Sequence, residues 1–232
     1  MTHTIVFDFD GTLALGAGPI VAFAHAVAER AGDDGFVARA LTALAEFEAG
    51  ETDHRDGYDV VGSLASAQGV PEAELSAAYD ASRALLGTAA AEVHAPAGLA
   101  PFLARVGARA RLLLATNAPG ESIVPILTRW GVVEAFDALH FTVGKPAGLV
   151  PILEDALASG PVLSVGDIVE FDLAPAMSLG AATALVGVTA ERAAAPVTLR
   201  GRTLADLYTD IEAWAAAAAS SPSDTHPLER HI

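Results

Sequence analysis

Two rhythms of apolar residues alternate along this chain. Thr4-Ile5-Val6-Phe7 opens it with a short run of β-forming residues, and similar runs recur near 110–116, 137–141, 161–166 and 182–187. Each is bounded by polar residues or glycine, which predicts strands buried on both faces of a parallel sheet. Helical patterns start between them near Ser122, Gly148 and Asp172, so strand and helix alternate from Ala95-Pro96 onward. That alternation predicts an α/β fold, a Rossmann-like parallel sheet with helices on both faces. Between Leu15 and His94 the rhythm changes. Ala, Leu, Val and Phe recur there at helical spacing over 22–31, 36–49, 58–67 and 72–86, with Gly32, Gly50 and Gly69-Val70-Pro71 as breakers. The chain therefore divides into an α/β core of residues 1–15 and 96–217 and a helical unit of residues 16–95, inserted directly after the first strand. Residues 218–232, which contain Ser220-Ser221-Pro222-Ser223-Asp224, read as a disordered tail.

Candidate chemistry sits at the strand ends. Phe7 is followed by Asp8-Phe9-Asp10-Gly11-Thr12. Residues two apart on a strand point the same way, so Asp8 and Asp10 meet at one end of the sheet, and Gly11 lets the backbone turn there. Open α/β sheets bind their ligands at such ends. Two neighbouring carboxylates can share a divalent cation or divide nucleophilic and acid/base roles. The run Arg111–Ala115 delivers Thr116 and Asn117, residues that cap a helix whose N-terminus is also an anion seat. Pro161–Gly166 delivers Asp167, a carboxylate that needs a partner or water at the end of an apolar strand. Asp172 follows five residues later, where it can equally cap the next helix. Lys145, in Gly144-Lys145-Pro146, is the only lysine beside twelve arginines. Such a choice suits a site that wants a compact, strongly hydrated point charge.

Composition narrows the function classes. Hydrophobic residues make up 52% of the 232 positions, enough for a sizeable core. No apolar run reaches the length of a membrane span, and the chain enters a strand without a secretory signal. Cysteine is absent, so disulfides, thiolate metal sites and a cysteine nucleophile are excluded together, and a cytoplasmic location is the expectation. The net charge of −16 argues against nucleic-acid and anionic-membrane partners. For an anionic substrate, a bound cation and local basic residues would have to invert the field at the site.

Taken in order, Asp8-Phe9-Asp10-Gly11-Thr12, then Thr116, Lys145 and Gly166-Asp167-Ile168-Val169-Glu170-Phe171-Asp172, resemble the four motifs of the haloacid dehalogenase-like (HAD) superfamily, aspartate-nucleophile phosphatase type. The resemblance spans residues 4–217. It implies that the insert is an α-helical cap that closes over the site, with Gly16, Gly18 and Pro19 as one hinge and residues 95–98 as the other. It also implies a Mg²⁺-dependent phosphatase that hydrolyses a small phosphorylated metabolite through an aspartyl-phosphate. In that scheme Asp8 is the nucleophile, and Asp10 is the general acid/base whose backbone carbonyl also ligates the magnesium ion. Asp8 and Asp167 bind the metal directly and Asp172 through a water. Thr116 and Lys145 hold the phosphoryl group, with the backbone amides of Phe9, Asp10 and Asn117 as further donors. Arg30, Arg39, Arg55, Arg83, His25, His54 and Tyr58 lie in the insert; the densest polar cluster, 54–58, makes Arg55 and Tyr58 the specificity candidates. Asp10 and Asp167 favour phosphate chemistry over dehalogenation. A phosphomutase or phosphotransferase of the same family, a non-turnover phospho-acceptor of signalling type and an idle binding member are the alternatives. Substrate identity and oligomeric state are not legible.

Overall fold

The first strand, β1 (His3–Phe7), is buried along its whole length, as expected where strands flank it on both sides and helices cover both faces. A computed structural model, which describes residues 2–217, places it near the centre of a parallel sheet. The tail expected over 218–232 lies outside the described residues. The other strands are β2 (Ala110–Ala115), β3 (Ala138–His140), β4 (Val162–Gly166), β5 (Ala182–Leu185) and β6 (Leu199–Arg200), in the spatial order β3-β2-β1-β4-β5-β6. Every neighbouring pair is parallel. This is the α/β class that the alternating pattern predicts. β6 has no counterpart in the predicted elements, because two residues carry no periodicity. Strand order reverses beside β1, and the carboxyl ends of β1, β2 and β4 lie side by side there. Such a switch point opens a crevice above the sheet.

Packing follows the period of two within the strands. Ile5 and Phe7 of β1, with Leu112, Leu114, Leu163 and Val165, face the larger core cluster, which includes Phe102 and Phe136. Val6, Leu113 and Val162 face the opposite cluster, with Leu149 and Leu153. Helix α5 (Leu99–Gly107) buries Leu99, Phe102, Leu103 and Val106, one stripe at helical spacing. The remaining layers are α6 (Gly120–Arg129), α7 (Leu149–Ser159), α8 (Ala174–Ser178) and α9 (Tyr208–Ala217). Among the described residues no helix is long and apolar enough to cross a membrane.

Between β1 and β2 come α1 (Gly18–Ala31), α2 (Phe36–Glu48), α3 (Gly57–Ala67) and α4 (Glu72–Ala84). They share a hydrophobic cluster that includes Phe23, Val27, Phe36, Ala40, Val61 and Ala78. Gly32 and Gly50 end α1 and α2 with φ of 62° and 80°, a conformation that side chains disfavour. Gly18 and Pro19 belong to the first turn of α1 rather than to a free linker. The two connections to the sheet are tied together, with Leu15 N donating to His94 O and His94 N to Leu15 O, both at 2.9 Å.

Candidate active site

Three strand ends converge on one crevice. Asp8 N donates to Val165 O at 2.9 Å, which fixes the end of β1 against β4. The backbone then turns at Gly11, whose φ is 72°; a Cβ there would lie 2.0 Å from Asp167 Oδ2. Glycine is thus required twice, for the left-handed backbone and for the close approach of the Asp167 carboxylate. Gly11→Ala is expected to lose about 1–2 kcal/mol from the backbone alone and to push Asp167 out of place. Differential scanning fluorimetry and calorimetric titration with Mg²⁺ check this; an unchanged Tm and an unchanged cation affinity would refute it.

Lys145 knits the carboxylates together. Its Nζ donates to Asp8 Oδ1 at 2.5 Å and to Asp172 Oδ1 at 2.7 Å, and its side chain is 3% exposed. Asn117, 28 residues earlier in the chain, sets the loop: its Oδ1 accepts from Lys145 N at 2.8 Å. The Asn117 side-chain oxygen therefore positions Lys145. Asp172 is not a helix cap as the sequence allows. It lies within a π-helical turn (Val169–Leu173), its Oδ2 accepts from Ile168 N at 3.0 Å, and Ser164 Oγ donates to its carbonyl at 2.8 Å. Gly166 makes room for it, since a Cβ there would sit 2.3 Å from Asp172 Cβ.

Asp8, Asp167 and Asp172 each offer an oxygen within 4.8 Å of the others. Three hard oxygen donors in a crevice suit Mg²⁺, which favours carboxylates and retained waters. The electrostatics agree. Burial pushes Asp8 up to about 7; Lys145 opposes that rise, while Asp172 and Asp10 add to it. Burial, with Asp8 next, raises Asp167 well above the ordinary carboxylate value. Burial disfavours the Lys145 ammonium, yet Asp8 and Asp172 outweigh it and raise its pKa. One lysine against three acids leaves a deficit of positive charge, which a divalent cation would correct.

The remaining predicted residues fall in distinct places. Thr116 is buried, its Oγ1 accepting from Ala118 N at 3.1 Å. The Phe9 ring is fully buried and stacked on Trp130, so only its backbone can serve an anion. Asp10 is separate from the three-acid group. Its carboxylate accepts from both ends of the Arg83 guanidinium, at 2.8 and 3.0 Å, and Arg83 also donates to Tyr58 Oη at 3.1 Å. Sequence reasoning missed this role for Arg83, one of four arginines in the helical block. The Tyr79-x-x-x-Arg83 spacing, one turn apart on α4, is shared with ordinary solvated helix faces and gives no distinct signal, although the guanidinium lies 6.0 Å from the Tyr79 ring centre. Arg55 pairs with Asp59 at 2.7 Å and lies 5.3 Å from the Phe171 ring centre.

A cavity of about 960 Å³ joins these groups. Asp8, Asp10, Thr116, Asn117, Lys145, Asp167 and Asp172 line its floor, and Arg55 and Tyr58 belong to its helical wall. The same architecture occurs in the HAD hydrolase YfnB from Bacillus subtilis, solved bound to magnesium. It is 17% identical, with a TM-score of 0.62 over 90% of this chain and 98% of that one. The fold is that of the haloacid dehalogenase-like hydrolases. A HAD phosphatase from Thermococcus onnurineus shares it at 18% identity and a TM-score of 0.54, covering 91% of this chain and 98% of its own. So does a 2-haloacid dehalogenase from Pseudomonas syringae, at 17% identity and a TM-score of 0.50 over 92% and 100%. No protein-family model and no curated protein matches the sequence. Since the HAD-like fold hosts both reactions, the residues of the crevice must discriminate between them.

Proposed function

We propose that this chain is a Mg²⁺-dependent phosphatase acting on a small phosphate monoester, with Asp8 as nucleophile. The observation that carries the reading is the grouping of Asp8, Lys145, Asp167 and Asp172 beneath a cavity that also holds Asp10. Dehalogenation releases a halide and needs neither an acid for the leaving group nor a cation seat. A second acid beside the nucleophile and a carboxylate triad therefore favour phosphoryl chemistry.

In this reading an Asp8 oxygen attacks phosphorus, and the P–O bond to the leaving alcohol breaks as Asp10 hands that oxygen a proton. Water then attacks phosphorus, giving its proton back to Asp10 and releasing phosphate from Asp8. Thr116 Oγ1 and Lys145 Nζ hold the transferring oxygens, where charge builds in the transition state. Lys145 also favours the ionised form of Asp8, which burial opposes. Asp8 and Asp167 would hold Mg²⁺ directly and Asp172 through water, its two oxygens also accepting from Lys145 Nζ and Ile168 N. When bound, the cation offsets the negative charge shared by substrate and carboxylates. A guanidinium pairs most strongly with an ionised carboxylate, so an Asp10 that carries the proton to be delivered would hold Arg83 less tightly than the two-contact pair seen here.

We further propose two units, a core of 1–15 and 96–217 and a cap of 16–95, with Arg83 as the contact through which the cap senses the state of Asp10. The test is phosphate release from p-nitrophenyl phosphate. Turnover is expected with Mg²⁺, with a loss on the order of 10³-fold in EDTA and recovery on adding the ion back. Equal rates with and without the chelator would overturn the metal-dependent reading.

A further inference from the structure

We infer that the substrate's alcohol portion is apolar and uncharged, an alkyl or aryl group rather than a sugar or a second anion. This rests on the phosphatase reading and names the substrate class. Above the acidic floor, the cavity wall is built by Ile20 and Phe23 of α1, Leu41 and Leu44 of α2, and Leu75 and Tyr79 of α4. Leu41 and Tyr79 are 47% and 36% exposed, two of four large hydrophobic side chains left open among the described residues. Both open onto the same cavity, continuous with the seat of the reacting phosphate. Its 960 Å³ is far more than a phosphate group fills and lies at the upper end of small-molecule sites.

Charge points the same way. Among the described residues three basic side chains line the cavity, and each already has a carboxylate partner: Arg55 with Asp59, Arg202 with Glu48, and Lys145 with Asp8 and Asp172. The other arginines of the helical block are committed too, Arg30 to Glu74, Arg39 to Asp33 and Arg83 to Asp10. Asp56 adds a further carboxyl group to the wall beside the paired Asp59 and Glu48. A leaving group with its own phosphate or carboxylate would meet these acids, and among the described residues every cation lining the cavity already has a carboxylate partner. A polyhydroxylated one would find hydrogen-bonding partners in Asp56, Asp59, Ser63 and Ser66, but none along Ile20, Phe23, Leu41, Leu44 and Leu75. An alkyl or aryl group instead removes Leu41 and Tyr79 from water.

The experiment compares n-alkyl phosphates from butyl to octyl, below their aggregation concentrations, with glycerol phosphate and a hexose phosphate. We expect kcat/KM to rise about fourfold per methylene, the value for burying a CH₂, with both polar esters below butyl phosphate. Leu41→Asn should lower the octyl-to-butyl ratio by about threefold or more. A gain under about 1.5-fold per methylene, or polar esters turned over as well as octyl phosphate, overturns the inference. The Asp8→Asn protein separates this from the phosphatase reading. Calorimetric affinity that climbs with chain length supports the apolar seat even if the native protein hydrolyses nothing; affinity independent of chain length removes it even if p-nitrophenyl phosphate is cleaved.

Discussion

Asp8→Asn is expected to abolish phosphate release, by at least about 10⁴-fold, as loss of a nucleophile does in other covalent mechanisms, while far-UV circular dichroism stays unchanged. The change keeps the shape of the side chain, so the β1–β4 contact through Asp8 N survives. What disappears is the oxygen that attacks in the proposed mechanism, and with it a titratable charge. That charge has a second consequence. Burial raises Asp8 from its unfolded value of 3.8 to about 7. Below pH 4 the group is protonated folded and unfolded, and contributes nothing. As pH rises from 4 to 7 the unfolded chain ionises first, so the native state loses stability over that window; above 7 the penalty is constant. Urea unfolding of the metal-free protein should therefore show stability falling between pH 5 and 7.5, with a shallower fall in Asp8→Asn. Retained turnover in the variant removes Asp8 as nucleophile. An identical pH slope in both proteins removes the assigned cause of its raised pKa.

The parts of this site legible in the sequence are those set by the chain itself. Apolar runs at Thr4–Phe7, 110–116 and 161–166 mark strands buried on both faces, and the polar residues that follow each run are where those strands end. Lys145 stands out because no other lysine competes with it. What the sequence hides are contacts between distant segments. Arg83 and Asp10 are 73 residues apart, and on α4 an arginine one turn after a tyrosine looks like any solvated helix face. Asn117 reads as a helix cap or an anion seat; that its side chain orients the Lys145 loop depends on β2 and that loop being neighbours. Asp172 was ambiguous for a related reason. A π-helical turn has no sequence periodicity to distinguish it from the first turn of an α-helix, and there the carboxylate turns inward to Lys145. The helical wall of the cavity is hidden in another way: Leu41 and Tyr79 follow the same spacing as core residues, yet tertiary packing leaves them open.

Lys145→Met should unfold more readily than it should lose shape. The lysine is nearly enclosed and bonds two carboxylates. Removing one partner of a buried pair leaves uncompensated charge, a cost of about 3–5 kcal/mol. Here Asp8, Asp167 and Asp172 would face one another within 4.8 Å with no ammonium between them. The missing group is also the one that lowers the pKa of Asp8. Without it Asp8 titrates above 7, so the variant keeps losing stability at pH values where the native protein has levelled off. The stability gap between the two proteins should widen from pH 6 to pH 8 and narrow when Mg²⁺ is added, since a cation replaces part of the lost charge. Turnover of p-nitrophenyl phosphate should fall about 10²–10³-fold even with saturating Mg²⁺, because a divalent ion held by Asp8 and Asp167 does not supply the Lys145 donor to the transferring oxygens. A gap that stays constant with pH, or full activity restored by Mg²⁺ alone, would mean that Lys145 only neutralises charge and takes no part in holding the phosphoryl group.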